Sequence, residues 1–116
     1  MLNLKTGQHA LVKIDPEDDA NDIVSIDGVV TFTSTDTSVF TAVPAADGFS
    51  CDCIQTPGGE GKTAQLIAVF DADRGAGVRN ITESLDVTSE AREATHGVFT
   101  VGEPADVTAA PAPASP

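Results

Sequence analysis

Thr63-Ala64-Gln65-Leu66-Ile67-Ala68-Val69-Phe70 is the longest apolar run of the chain. It is short and partly β-branched. Turn residues bracket it, Pro57-Gly58-Gly59-Glu60-Gly61 before and Asp71-Ala72-Asp73-Arg74-Gly75-Ala76-Gly77 after. Those features read as a central β-strand rather than a helix. With Ala64, Leu66, Ala68 and Phe70 on the core face, period-two alternation puts Ile67 and Val69 on the opposite, nominally wet face.

The rest of the chain follows the same pattern of short β-branched runs cut by Gly, Pro and Asp. His9 to Ile14 places Ala10, Val12 and Ile14 on one side and stops at Asp15-Pro16, where proline removes a backbone donor. The acidic stretch Glu17 to Asp22 reads as a solvated loop, and Ile23 to Asp27 as a short edge or bulged entry. Gly28 to Thr33 alternates with Val30 and Phe32 on one face. Ser34 to Thr37 has turn chemistry, because short polar side chains bond their own backbone. Ser38 to Val43 and Phe49 to Gln55 are strands joined around Asp47-Gly48, a tight-turn signal. Val78 to Thr88 and a weaker Gly97 to Val101 complete the strands, with Ser89 to Thr95 a helical turn or a loop between them. About seven short strands at this spacing predict an all-β, immunoglobulin-like sandwich. The sandwich is expected over residues 1–103, with 1–8 an N-terminal extension. Residues 104–116, rich in Ala and Pro, are expected to form an extended tail with nothing to bury.

Composition limits the function. Six Lys and Arg stand against 18 Asp and Glu, a net charge of −12, which repels a phosphate backbone. Trp and Tyr are absent and Phe numbers 5, so base-stacking platforms are scarce. No nucleic-acid partner is expected. No membrane partner is expected either, since no run approaches the ~20 apolar residues of a span. The N-terminus carries no signal-peptide pattern.

Several groups invite chemistry. Cys51-Asp52-Cys53 puts two sulfurs on one face of a strand, with Cα atoms ~6.6 Å apart and side chains parallel, unfavourable for a mutual disulfide. They read first as two small buried hydrophobes. A cross-link to a neighbouring subunit is the functional alternative and requires that face to be exposed. Two Cys also supply only half a zinc site, even with His9 or His96 nearby. Asp71, Asp73 and Glu60 offer oxygens, yet Asp71-Ala72-Asp73-Arg74-Gly75 lacks the third ligand and distal Glu of a helix–loop–helix calcium site. Gly58 to Thr63 ends like a phosphate loop, but Thr56 stands where the first glycine belongs. With His9 and His96 the sole histidines, no Ser-His-Asp arrangement is suggested. No catalytic residue, metal or cofactor is expected, and the protein is read as a non-enzyme.

The central stretch resembles a bacterial immunoglobulin-like domain of the group-2 type. The matching pieces are Val30-Thr31-Phe32-Thr33-Ser34-Thr35-Asp36, Ser38-Val39-Phe40-Thr41, Asp47-Gly48 and Gly61-Lys62-Thr63-Ala64-Gln65-Leu66. Phe32 stands where that family usually has Trp. The continuation Asp71 to Arg79 is similar to small proteins of this type encoded by tailed bacteriophages. The resemblance implies a virion component, made in the host cytoplasm without an export signal. Met1 and the tail read as a complete chain rather than an excised domain. A capsid decoration or linking subunit bound in repeated copies to the major capsid protein is the first expectation. A collar, tail or fibre adhesion module binding the host surface is the alternative. The contact residues expected on this reading are Ile67 and Val69 on the outward face, with Leu2 and Leu4 in the N-terminal segment.

Overall fold

A computed structural model describes residues 1–107 of the chain. Its regular structure is entirely β: β1 (Leu2–Lys5), β2 (His9–Lys13), β3 (Asp27–Ser34), β4 (Phe40–Pro44), β5 (Ser50–Gln55), β6 (Thr63–Asp71) and β7 (Asn80–Glu90). They form two sheets, one ordered β1-β7-β6-β3 and the other β2-β5-β4. Every pairing is antiparallel except β1 with β7.

β6 is the central strand that its apolar run predicts. Ala64, Leu66, Ala68 and Phe70 are all buried, while the alternate positions are not. β3 contributes Val30 and Phe32 to the same layer, so Phe32 fills the interior with a smaller ring than Trp would. From the other sheet come Phe40, Cys51 and Cys53, each fully buried, with Ala10, Val12 and Ala42 packed against them. The two inner faces together make a single β-sandwich core. Burying each large side chain contributes about 1.5–3 kcal/mol before entropy is counted.

The turns are built by carboxylates. Asp47 Oδ1 accepts hydrogen bonds from the amides of Phe49 and Ser50 and from the Ser50 hydroxyl, and Gly48 takes φ +80°. Asp36 likewise accepts from the Ser38 amide and hydroxyl. Both are Asx-type turns that close the chain locally. Gly59 is required for a different reason. A Cβ there would overlap the carbonyl oxygen of Ser38 and lie 2.9 Å from the Val39 Cα.

The structure corrects several expectations. Residues 2–5 are a strand of the larger sheet rather than part of an extension, because the Leu2-x-Leu4 alternation drives Leu4 into the core. β7 begins at Asn80, not Val78, since Asp71 Oδ1 accepts from both the Asp73 and Arg79 amides and holds the intervening residues as a loop. β4 begins at Phe40, after the Asp36 turn, and β7 runs on through Ser89 and Glu90. Ile23 makes only an isolated bridge with Glu17. Gly97 to Val101 forms no strand, and every residue from 91 to 107 is exposed. Of the tail expected over 104–116, residues 108–116 lie outside the described residues.

Candidate interaction surfaces

The larger sheet turns an uncharged stripe outward. Thr31 pairs with Val69 and Thr33 with Ile67 across β3 and β6, while Thr82 and Ser84 of β7 face the same two residues from the other side. Ile67 and Val69 are therefore half-buried between hydroxyl-bearing neighbours rather than fully wet. The six side chains form a patch without a formal charge, in a protein whose net charge is −12.

The smaller sheet has a second outward apolar group, which the sequence reading did not single out. Leu11, Val43 and Ile54 are 67%, 48% and 37% exposed. The register gathers them around Asp52, which lies opposite both Leu11 and Val43. Asp52 accepts from His9 Nδ1 at 2.8 Å, an exposed pair on the same face. Placing Ala10 and Val12 inward on β2 already turns Leu11 outward, so strand alternation was the available signal.

The expected contact residues divide. Ile67 and Val69 lie on the outer face. Leu4 is only 2% exposed and fills the core of its own chain, so its side chain is not free to touch another subunit. Leu2 packs partly buried against that core.

Cys51 and Cys53 are free thiols, fully buried, with sulfurs 3.8 Å apart. Removal from water pushes the Cys51 thiol up, and it pushes Cys53 up to about 12 with a further contribution from Cys51 beside it. Buried neutral thiols of this kind are poor nucleophiles. The cross-link to a neighbouring subunit needed an exposed face, and this face is the interior.

Carboxylates noted in the sequence serve the backbone. Asp73 Oδ1 accepts from the Gly75 amide, and Asp71 staples the base of the same loop. Glu60 accepts from the Thr6 hydroxyl at 2.8 Å, and backbone amides together with this bond hold its carboxyl below the usual range. Hydrogen bonds from Ser38 do the same for Asp36, as do the Phe49 amide and the Ser50 hydroxyl for Asp47. Among the described residues, no three His, Cys, Asp or Glu side chains converge as a metal site would require.

No protein-family model matches the chain, and no curated protein or solved structure does.

Proposed function

We propose that the protein is an immunoglobulin-like, non-enzymatic structural subunit of a bacteriophage virion, and within it a decoration or linking subunit on the major capsid lattice. The fold part of this reading is supported by strand order. The sheets β2-β5-β4 and β3-β6-β7 have the order of strands B-E-D and C-F-G of an immunoglobulin sandwich, with β1 added beside the last strand.

The observation that carries the docking role is the uncharged stripe of Thr31, Thr33, Ile67, Val69, Thr82 and Ser84. Surfaces that meet a partner tend to be depleted of charge at their centre. Asp86, next after Ser84, and Asp71, next after Val69, flank the stripe on the same face, and negative charge around the dock keeps assembled particles from clumping. A rigid sandwich repeated across many capsid joints multiplies weak contacts into a stable shell. In this role the subunit needs neither a cofactor nor nucleic acid.

The test is particle binding by Ile67→Lys and Val69→Lys variants. Both should keep the β circular-dichroism spectrum and lose occupancy on particles. Folded variants that bind with unchanged occupancy would exclude this face as the dock.

A further inference from the structure

β7 is paired along only part of its length. β1 lies beside Val87 to Glu90, while Asn80 to Asp86 has β6 on one side and, among the described residues, no strand on the other. Burial follows that pairing residue by residue. On the inward face, Val87 and Ser89 next to β1 are 0% and 1% exposed. Ile81 and Leu85, on the same face but past the end of β1, are only half-buried, and Glu83 between them is exposed.

β2 is likewise an edge, paired among the described residues by β5 alone. Between these two edges the sheets part, and a groove of about 550 Å³ opens onto Val12, Ile14, Phe70, Ile81 and Leu85. Asp15, Glu17 and Glu83 also line it, as does Lys13, whose ammonium lies 3.5 Å from Asp15, leaving a net acidic rim. An open sandwich edge with an apolar interior behind it can accept one more strand: main-chain hydrogen bonds supply affinity, and alternate side chains fill the gap.

The same chain carries a segment with the matching properties. Val98, Phe99 and Val101 are 83%, 96% and 86% exposed, and residues 91–107 form no strand. Extended, Val98 to Val101 places Phe99 and Val101 on one side, the spacing needed to enter a groove from a paired edge. Gly97 to Val101 spans about 17 Å, within the roughly 23 Å of the seven-residue edge. From Ala94 to Gly102 there is no carboxylate, so this stretch escapes the repulsion that an acidic rim exerts on the rest of the molecule. Within its own chain the segment departs from β7 at Glu90, where β1 already occupies the edge, and it lies outside the groove.

We propose that Val98–Val101 of a second copy of this chain adds as a strand along Asn80–Asp86 of β7, with Phe99 and Val101 entering the groove. The contact joins a tail to an edge, so copies either exchange tails reciprocally about a two-fold axis or join head to tail into a ring or a chain. It uses neither the Ile67–Val69 stripe nor any capsid protein, so it stands or falls separately from the proposed function.

The test is sedimentation equilibrium of the full chain and two variants. Phe99→Asp spoils the donor, and Ile81→Asp spoils the groove. The wild type should associate as concentration rises, and Phe99→Asp should weaken that by about 10- to 100-fold or more with an unchanged circular-dichroism spectrum. Each variant alone should self-associate more weakly than the wild type, yet a mixture should form a one-to-one pair, because each retains the half that the other lacks. A wild type that stays monomeric to about 1 mM, or a Phe99→Asp chain that associates like the wild type, overturns the proposal. Should Ile81→Asp not fold, a peptide of residues 95–103 added to Phe99→Asp must slow amide exchange at Asn80–Asp86, and no slowing overturns it equally.

Discussion

Leu4→Ala is the sharpest perturbation of the architecture, because it asks whether four N-terminal residues belong to the core. Leu4 is 2% exposed and packs within the cluster that includes Val87, against which β1 runs in parallel. Truncating a buried Leu to Ala costs about 2–5 kcal/mol, depending on how far the site collapses. β1 is a short edge strand and can relax somewhat, which places the expected loss near 3 kcal/mol. For a domain of this size that lowers the melting temperature by about 12–24 °C. Leu2→Ala, half-buried on the same strand, should cost about 1 kcal/mol, or roughly 4–8 °C. The chain has no Trp or Tyr, so the unfolding transition is followed by circular dichroism or calorimetry rather than by indole fluorescence. A Leu4→Ala protein that melts within about 2 °C of wild type would mean that β1 is not docked on β7.

Gly59→Ala should destabilise by about 1–3 kcal/mol, since the new Cβ collides with the backbone of Ser38 and Val39; an unchanged urea midpoint contradicts that packing. Native Cys51 and Cys53 should resist a thiol reagent that modifies both after denaturation, and rapid labelling of the native protein would contradict their burial. Because burial pushes the folded Cys53 thiol up to about 12, from 9.0 for a solvated thiol, its contribution is complete below about pH 9 and is lost as pH rises towards 12. Cys53→Ala should therefore flatten the alkaline loss of stability, and an identical alkaline slope refutes that origin. Asp36, Asp47 and Glu60 run the other way, their lowered values adding stability that is present at neutral pH and lost as pH falls through and below the ordinary carboxylate range. Asp47→Asn should show a smaller acid-induced shift of the urea midpoint than wild type, and an equal shift would remove Asp47 from the account.

The elements that were legible in the sequence are those with several consecutive alternations or an unambiguous turn. β6, β3 and the Asp47-Gly48 turn fall in this group, and alternation alone placed Ile67 and Val69 outward. β1 was not legible, because Leu2-x-Leu4 is one period of alternation and its strand character depends on the far end of β7. Gly97 to Val101 failed in the opposite sense: its composition is that of a strand, but no edge among the described residues receives it, and β propensity without a partner gives no ladder. The outward cluster of Leu11, Val43 and Ile54 comes from three strands far apart in sequence, so only the register reveals it. The burial of Cys51 and Cys53 was expected from residue type, since free Cys is among the most buried residues, and the register that pairs them with Val12 and Ala10 puts them inside.

Quantitative mass spectrometry of purified particles from the source lysate tests the proposed role most directly. A copy number comparable to that of the major capsid protein is the result predicted for a decoration or linking subunit. A handful of copies would favour a collar, tail or fibre position instead, and absence from the particles would contradict the virion assignment.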